Sequence, residues 1–335
     1  MTENNKIILL TGGAGYIGSH TCLSLVKNGF TPLIIDNFAN SYPSSIKNIN
    51  ELINKKFFFE KGDICNLQFL NKIFKKYSIF GIIHFAALKS IPESYLKKKK
   101  YFEVNINGTK KILRMCKKYN CNFFIFSSSA AIYDQNQKPP YRETSKINPM
   151  NPYSKSKYIA EKEIINFSHI KKDFRFIILR YFNPVGAHAS GKLNENPKKG
   201  QGNLMPQICK TANGERKFLN LYGNQYDTKD GTCIRDFIHV IDLAEGHVKS
   251  LNYLINKEKS STFNLGTGKG ITVLKVINTF EKVNNIKVRY RVCPAREGDA
   301  KSSFAYILNA SKFLKWKANK SLVSMCKSSW YPYLK

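Results

Sequence analysis

Residues 7–18 read IILLTGGAGYIG, and this stretch decides the fold. The apolar run of residues 7–10 is typical of a buried parallel strand. Gly12, Gly15 and Gly18 then allow a tight turn, a close approach of the backbone to a phosphate, and tight packing of the following helix. The N-terminus of that helix would offer N–H groups and a partial positive charge. The loop is therefore predicted to bind the pyrophosphate of a dinucleotide, with a plain glycine-rich turn as the alternative.

Apolar runs and helical patterns alternate along the chain after this loop. The runs predict strands at residues 32–35, 57–59, 81–85, 123–126 and 176–179, and the helical patterns lie at residues 67–77, 101–119 and 154–170. Such alternation predicts an α/β fold with a Rossmann-type, doubly wound parallel sheet.

A change of domain is predicted near residue 184, because glycine, proline and polar residues become frequent there. Residues 1–184 would form the dinucleotide-binding domain. Residues 185–335 would form a smaller, mixed α/β substrate domain, from which residues 239–254 could pack back onto the first.

Asp36 is predicted at the end of the second strand. A carboxylate at this place can accept hydrogen bonds from the adenosine ribose hydroxyls and repels a 2′-phosphate, so the cofactor is predicted to be NAD rather than NADP. A helix-capping or turn role is the alternative. Asp63 and Ile64, after the third strand, could reach the adenine in a similar way.

The composition is that of a soluble globular protein, with 335 residues and 42% hydrophobic content. We expect no signal peptide and no membrane span, hence a cytoplasmic protein. The eight cysteines form no C-x-x-C pair, and no metal site is expected.

The formal net charge is +31. A basic patch would indicate a nucleic-acid partner, but the lysines are spread along the chain. We favour a drift of composition and expect no nucleic-acid partner, although the positive field would attract an anionic substrate.

Tyr153 and Lys157 lie four residues apart, on one face of a predicted helix. An ammonium beside a phenol favours the phenolate, so we predict a lowered pKa for Tyr153 and a role in proton exchange near neutral pH. Ser129 ends a strand that should lie over the cofactor, and its hydroxyl could bind the same substrate oxygen as Tyr153. Each feature alone is weak, since such pairs and serine runs are common on surfaces.

The loop, the serine and the Tyr-x-x-x-Lys pair together resemble the extended short-chain dehydrogenases/reductases, and more narrowly the UDP-glucose 4-epimerase family. The resemblance covers nearly the whole chain, and its most specific blocks are residues 11–20, 84–89, 124–129, 179–188, 203–206, 230–232, 235–240 and 296–299.

This resemblance implies a reaction that interconverts UDP-glucose and UDP-galactose. Tyr153 would take the proton of the sugar 4′-hydroxyl while hydride leaves C4 for the nicotinamide. Lys157 would bind the nicotinamide ribose and hold Tyr153 at its low pKa, and Ser129 would orient the hydroxyl and the 4-keto oxygen. The keto sugar would turn over and take the hydride back on its other face, so NAD would stay tightly bound.

The resemblance also implies the binding residues. For NAD they are Gly12, Gly15, Tyr16, Ile17, Gly18, Asp36, Asn37, Phe38, Ala39, Asn40, Asp63, Ile64, Phe85, Ala86, Ala87, Lys89, Asn105, Ser129, Tyr153, Lys157 and Phe182. For the UDP-sugar they are Ser129, Tyr153, Tyr181, Phe182, Asn183, Asn203, Leu204, Asn220, Leu221, Tyr222, Arg235, Arg296, Asp299 and Ser303. Arginine forks suit phosphate oxygens, and a carboxylate at position 299 can accept from ribose hydroxyls.

Four positions depart from the family pattern. Ala131 replaces a common threonine, whereas Asp134, Ser154 and Pro92 replace common glycines. We expect Asp134 to alter a loop near the site and to affect the rate more than the type of reaction.

Two alternatives remain open from the sequence. A sugar-nucleotide 4,6-dehydratase of the same superfamily would need an acid/base pair just after the serine, where this chain has Ala130 and Ala131. A non-catalytic NAD-binding or nucleic-acid-binding protein would tolerate loss of the serine, tyrosine or lysine, yet all three are present.

The resemblance carries two further expectations. Ser303 falls where a bulky aromatic side chain would exclude an N-acetyl group, so UDP-N-acetylglucosamine is expected as a further substrate. A homodimer is expected through helices near residues 100–118 and 154–168, with the run of lysines at residues 97–100 at that interface.

Overall fold

The structure is a computed structural model, and it describes residues 6–198, 202–257, 259–296 and 298–334. The described residues fall into two compact units. The first draws on Met1–Ile132, Pro149–Arg180 and Ala244–Phe263, and the second on Tyr133–Asn148, Tyr181–Leu243 and Asn264–Lys335. Each unit therefore takes segments from both sides of residue 184.

The first unit is built mainly from alternating strands and helices. Its strands are β1 (Ile7–Thr11), β2 (Thr31–Asp36), β3 (Phe58–Lys61), β4 (Ile79–His84), β5 (Phe123–Ser129) and β6 (Arg175–Tyr181). Its helices are α1 (Tyr16–Lys27), α2 (Pro43–Leu52), α3 (Leu67–Lys76), α4 (Ile91–Leu96), α5 (Lys98–Phe102), α6 (Gly108–Lys118) and α7 (Pro152–Ile170).

The central sheet has seven strands in the order β11-β6-β5-β4-β1-β2-β3, where β11 is Ser261–Leu265. The pairs β1–β2, β1–β4, β2–β3 and β4–β5 are parallel. The chain builds outward from β1 in both directions, which confirms the predicted doubly wound sheet. Its switch point lies between β1 and β4, where open α/β sheets bind ligands.

Strand β1 is buried because residues on both of its faces are apolar. The same holds for β2 and for the middle of β5, and these strands share one hydrophobic core with α3, α6 and α7. Parallel strands covered by helices on both faces produce such continuous apolar runs.

Helix α7 has a well-defined start. Asn151 is its N-cap, Pro152 follows, and the side chains of Asn151 and Ser154 each hydrogen-bond the backbone of the other in a capping box. Ser154 thus contributes to the start of α7 in a way that the usual glycine cannot. Pro92 lies in the first turn of α4, where proline is tolerated.

The helical segment predicted at residues 101–119 is interrupted. A π-helical turn, Glu103–Asn107, joins α5 to α6. π-Helical turns are rare in proteins overall, but those that do occur are often found at functional sites.

The second unit has shorter elements. Its strands are β7 (Asn183–Val185), β8 (Leu219–Tyr222), β9 (Ile234–Arg235), β10 (Phe237–His239), β12 (Ile271–Thr272), β13 (Tyr290–Cys293) and β14 (Ser302–Ser303). Its helices are α8 (Leu204–Ala212), α10 (Val273–Asn284), α11 (Leu308–Leu314) and α12 (Leu322–Trp330), and α9 (Val240–Lys257) begins in this unit and continues in the first. These elements form small sheets, namely β10-β7, β12-β9-β14 and β13-β8, around a second hydrophobic core.

Across the described ranges, no helix combines the length and the apolar character needed to cross a membrane. Within the same ranges, His, Cys, Asp and Glu side chains form no group that could hold a metal ion.

Candidate active site

The glycine loop follows β1 at the switch point. Gly12 has φ of +69°, and a Cβ on it would lie 2.8 Å from the Cα and N of Ala86. A Cβ on Gly18 would lie 2.7 Å from the carbonyl oxygen of Gly12. Glycine is thus required at both positions. The N-cap of α1 is Gly15, which has no side chain to cap the first turn, where Tyr16 and Ile17 lie. The loop has the geometry of an anion-binding helix start.

Asp36 ends β2 and faces this loop. Its Oδ2 accepts from the backbone N–H of Ala14 at 3.1 Å, and its Oδ1 accepts from Phe38 N and Ser41 Oγ, each at 2.8 Å. The carboxylate is buried and held in one orientation. Asp36 is therefore a fixed acceptor beside the glycine turn.

The segments after β2 and β3 meet beside Asp36. Asn37 Nδ2 donates to Asp63 Oδ2 at 2.8 Å, and Asn37 Oδ1 accepts from Ala39 N at 2.9 Å. Phe38, between Asn37 and Ala39, has φ of +57° and turns the chain there. Ile64, after Asp63, is buried in the core. Asn40 is exposed in the same turn.

Asn105 in the π-helical turn holds the segment that follows β4. Its Oδ1 accepts from Leu88 N at 2.8 Å, and its Nδ2 donates to Leu88 O at 3.0 Å and to Ser156 Oγ at 2.9 Å. Ser156 Oγ donates in turn to the Tyr153 carbonyl oxygen. Asn105 thus links α7 to the segment of Phe85, Ala86, Ala87 and Lys89.

His84, at the end of β4, connects the end of β1 to helix α6 through hydrogen bonds to Thr11 and Thr109. This role was not predicted from the sequence. Thr109 Oγ1 donates to the Asn105 carbonyl oxygen, so it accepts from His84 Nε2–H at 3.0 Å. His84 Nδ1 is then left to accept from Thr11 Oγ1 at 2.6 Å. Burial, and then the charge of Lys157, lower the pKa of His84 to about 3, so the ring is neutral.

The predicted catalytic residues come together where β5 meets α7. The Ser129 side chain lies close enough to the Tyr153 phenol to favour its ionised form. Lys157 Nζ donates to the Ser127 carbonyl oxygen at 2.7 Å and lies 4.9 Å from the centre of the Phe126 ring. A phenol, a hydroxyl and an ammonium thus converge at the carboxyl edge of the sheet.

The lowered pKa predicted for Tyr153 is wrong for the chain alone. Burial raises the pKa of Tyr153, and the hydrogen bond from Ser129 and the charge of Lys89 offset only part of this. Burial also lowers the pKa of Lys157, to about 7, against the opposing charge of Glu161. Both groups are removed from water, which disfavours both charged forms.

Apart from Ser129 and Tyr153, the residues predicted to bind the UDP-sugar all lie in the second unit. Arg235 on β9 forms an ion pair with Asp299, and its strand neighbour on β14 is Ser303. The guanidinium of Arg296 stacks 3.9 Å from the centre of the Tyr222 ring. Glu297, between Arg296 and Asp299, lies outside the described residues.

The other predicted substrate residues occupy strand ends and a helix start of this unit. Asn220, Leu221 and Tyr222 are on β8. Asn203 is at the N-cap position of α8, which starts at Leu204, but its side chain makes no capping hydrogen bond. Asn203 Nδ2 donates to Glu195 Oε1 at 2.7 Å. Tyr181, Phe182 and Asn183 connect β6 to β7, where Asn183 N donates to the Asp236 carbonyl oxygen at 3.0 Å.

Asp236 organises the surroundings of Arg235, and sequence reasoning did not single it out. This fully buried carboxylate accepts from Thr267 N and Oγ1, at 2.8 and 2.6 Å, and from Gly268 N and Ala305 N, at 3.0 and 3.1 Å. Burial raises its pKa, whereas these four donors favour the charged form.

The departures after the serine run have a simple structural form. Ala130–Ile132 is a 3₁₀ turn. Asp134 lies in the second unit, where it accepts from Asn136 N at 3.1 Å and pairs with Lys146 at 3.2 Å. Asp134 is not among the described residues with positive φ, so glycine is not needed there.

The fold and site define a class that comparison with known proteins also identifies. A family model described as GDP-mannose 4,6 dehydratase matches residues 9–329. Among curated proteins, a bifunctional UDP-glucose and UDP-xylose 4-epimerase of Pisum sativum is 41% identical over 98% of this chain and 96% of its own length. The UDP-glucose 4-epimerase of Homo sapiens is 42% identical over 96% and 95%.

Solved structures agree with these relatives. A UDP-glucose 4-epimerase from Stenotrophomonas maltophila, with bound NAD and formylated UDP-arabinopyranose, has a TM-score of 0.95 at 38% identity, covering 98% of this chain and 97% of its own. A UDP-Glc/GlcNAc 4-epimerase from Campylobacter jejuni has a TM-score of 0.85 at 34% identity, covering 97% and 98%. The chain belongs to the UDP-glucose 4-epimerase family of extended short-chain dehydrogenases/reductases.

Proposed function

We propose that this protein interconverts UDP-glucose and UDP-galactose with NAD as a tightly bound cofactor. The observation that carries the proposal is the convergence of Ser129, Tyr153 and Lys157 at the sheet edge beside the glycine loop. The family to which the chain belongs supports the same activity.

The first unit would hold NAD. Gly12 and Gly18 leave the backbone open where a Cβ would collide, so the loop fits a pyrophosphate. Asp36, fixed at the end of β2, would accept from the adenosine ribose hydroxyls, with Asp63 and its neighbours near the adenine. The segment at residues 85–89 and Asn105 would adjoin the nicotinamide end. The solved relatives from Stenotrophomonas maltophila and Brucella ovis contain NAD.

The second unit would bind the UDP-sugar. Arg235 and Arg296 can each grip phosphate oxygens in a fork geometry, and the first would then exchange Asp299 for phosphate. Asp299 would accept from the uridine ribose, and Tyr222 would flank the uracil. Tyr181, Phe182, Asn183, Asn203 and Leu204 would complete the pocket.

The chain's own residues would move the proton of each half-reaction. The Tyr153 phenolate takes the proton from the sugar 4′-hydroxyl as the C4–H bond breaks and the C4=O bond forms. When bound, NAD would supply the hydride-transfer chemistry of both half-reactions at C4. Ser129 donates a hydrogen bond to the 4-keto oxygen, and Lys157, when protonated, stabilises the phenolate. After the keto sugar has turned over, Tyr153 returns its proton to O4.

A 4,6-dehydratase is the second candidate, because the matching family model carries that description. Elimination of water needs an acid and a base near C5 and C6 of the sugar. The turn after Ser129 offers only Ala130 and Ala131 before Ile132, with no carboxylate. This argues for epimerisation. A non-catalytic NAD- or nucleic-acid-binding role is disfavoured by the intact catalytic trio.

We also propose activity on UDP-N-acetylglucosamine. Ser303 is small, buried and paired in register with Arg235, and this pairing supports a position for Ser303 near the bound sugar nucleotide. The Campylobacter jejuni relative is named for both kinds of sugar. Ser303→Tyr should abolish turnover of the N-acetylated substrate and keep turnover of UDP-glucose. Equal loss of both substrates, or of neither, would count against this assignment.

We also propose that the protein is a homodimer, formed through the helices near residues 100–118 and 154–168, and that it is located in the cytoplasm. The resemblance to the family supports the homodimer. Analytical sedimentation of the purified protein would test the oligomeric state.

The deciding experiment measures conversion of UDP-galactose by purified protein without added NAD. We expect turnover, because NAD should copurify. Tyr153→Phe should lose activity while retaining the cofactor. Undiminished activity in that variant would refute the mechanism, and absence of turnover in the unmodified protein supplied with NAD would refute the function.

A further inference from the structure

Three consecutive serines on β5 each contact the catalytic helix α7. Their partners are spaced one helical turn apart, on one face of α7. The contacts pair Ser129 with Tyr153, the Ser127 carbonyl oxygen with Lys157, and Ser128 Oγ with Glu161 Oε1. The contacts of Tyr153 and Lys157 belong to the proposed catalytic site. The contact between Ser128 and Glu161 has no role in the proposed proton transfer.

Glu161 is held from a second strand as well. Arg180 on β6 donates from Nε to Glu161 Oε1 at 3.1 Å and from Nη2 to Glu161 Oε2 at 2.7 Å. The exposed fractions of Glu161 and Arg180 are 1% and 6%, so the pair is shielded from solvent. A bidentate guanidinium–carboxylate pair fixes direction as well as distance. Ser128, Glu161 and Arg180 thus fasten α7 to β5 and β6 at one point.

We infer that Glu161, held by Ser128 and Arg180, is a positioning residue for the reaction proposed above. It keeps α7 in register on β5, so that Tyr153 meets Ser129. It also supplies a fixed negative charge one turn from Lys157, which favours the ammonium form of that lysine. The inference rests on the proposed function, since it concerns the same lysine and tyrosine.

The electrostatic surroundings of Lys157 support this role. The charge of Glu161 raises the pKa of Lys157 against burial, which lowers it. Among the described residues, the other titratable or charged groups with interactions at this site include Tyr153 on α7, His84 on β4, Lys89 after β4, Arg180 on β6 and His247 on α9, whose Nε2 lies 3.3 Å from Ser127 Oγ. None of these groups supplies a negative charge while Tyr153 is protonated.

Loss of the Glu161 charge should lower kcat and move the acid limb of its pH profile down. The reactive state holds Lys157 protonated and Tyr153 ionised, although the pKa of Lys157 lies below that of Tyr153. Between the two pKa values this state is a minor form, and it becomes rarer as the pKa of Lys157 falls. Two charges about 6 Å apart at an effective dielectric constant of about 20 shift a pKa by about two units. We expect the acid limb to move down by at least about one pH unit, with about a tenfold loss of the maximal kcat.

The test compares Glu161→Gln with Glu163→Gln in the enzyme with bound NAD. Glu163 is the matched control, because it lies on the same helix, its substitution removes the same charge, and it pairs with the half-exposed Lys110. Glu161→Gln should lower the maximal kcat for UDP-galactose and move the acid limb of its pH profile down, with KM little changed, whereas Glu163→Gln should match the unmodified enzyme. A Glu161→Gln profile that coincides with that of the unmodified enzyme would overturn the inference.

Glu161→Gln leaves Arg180 buried without its charge partner and could fail to fold. The double variant Glu161→Met/Arg180→Met removes both charges at similar volume and should keep its Tm. The pH profile of its kcat should change in the same direction as that of Glu161→Gln. A folded double variant with the profile of the unmodified enzyme would show that the pair is merely structural. Absence of turnover in the unmodified enzyme would instead refute the proposed function, so the two failures are distinct.

Discussion

Replacing Gly12 with alanine would combine two separate penalties at the centre of the glycine loop. The residue has φ of +69°, and the new Cβ would lie 2.8 Å from two backbone atoms of Ala86. A side chain in the left-handed region costs about 1–2 kcal/mol. Forcing the backbone of Ala86 away costs about another 1–3 kcal/mol. The free energy of unfolding should therefore fall by about 2–5 kcal/mol.

Two other glycines of the same unit separate these penalties. Gly29 has φ of +81° with nothing within 4 Å of the added Cβ, so Gly29→Ala measures the backbone cost alone. Gly18 has no positive φ, but its Cβ would lie 2.7 Å from the Gly12 carbonyl oxygen, so Gly18→Ala measures the close approach alone.

The assay is thermal unfolding after NAD has been removed, together with the NAD content of the protein as purified. Each kcal/mol should lower Tm by about 2–4 °C in a unit of this size. Gly29→Ala should lose only the smaller amount and keep NAD, whereas Gly12→Ala and Gly18→Ala should lose NAD as well. If Gly12→Ala is as stable as Gly29→Ala and keeps its NAD, the close-approach argument is refuted.

Three further predictions concern the catalytic and substrate residues. Tyr153→Phe should lower kcat at least about a hundredfold, because it removes the proton acceptor, and steady-state assays of UDP-galactose would show this. Lys157→Met should raise Tm at pH 7 in the absence of ligand. In the folded unmodified protein the pKa of Lys157 is about 7, below the ordinary 10.5, so protonation of this buried lysine costs stability. The cost is fully present at and below pH 7 and disappears as the pH rises towards 10.5. Thermal scans across this range would measure the effect. Arg235→Ala should raise KM for UDP-galactose about a hundredfold with a smaller change in kcat, because a fork to phosphate is lost.

Each of these predictions has a control on the same element or unit. Tyr158→Phe on α7 should leave kcat unchanged, and equal losses at Tyr153 and Tyr158 would point to general damage to the helix. For Lys157→Met, a Tm difference that does not shrink towards high pH would contradict the burial argument. Arg289, exposed in the second unit, is the control for Arg235, and equal effects on KM would rule out a specific phosphate contact.

The fold of the first unit could be predicted because most of its strands are local, apolar and buried on both faces, whereas the edge strand β3 is only partly buried. Strands β1 to β6 each match an apolar run of the sequence. Strand β11 was missed, since Ser261–Leu265 becomes part of the sheet only by pairing with β6, far away in the chain. The π-helical turn at Glu103–Asn107 likewise has no local signal in a pattern that fits an ordinary helix.

The residues of the candidate site could be predicted from the sequence, but their pKa values could not. Tyr153, Lys157 and Ser129 converge as the spacing suggested, but the pKa of Tyr153 depends on burial, which spacing does not reveal. Glu161 was missed because a glutamate on a helix is usually solvated, and only the fold brings Arg180 to it. The roles of individual binding residues stay predictions that ligand-bound structures can test.

The chain crosses between its two units after Ile132, Asn148, Arg180, Leu243 and Phe263. No single cut can therefore release either unit intact, and no single recombination event can exchange one for a unit from another protein. The protein is not modular in the manner of domains joined by a linker. A change of sugar specificity that leaves both units intact is therefore more readily made by local changes, such as substitution at the proposed specificity position Ser303, than by exchange of a whole unit.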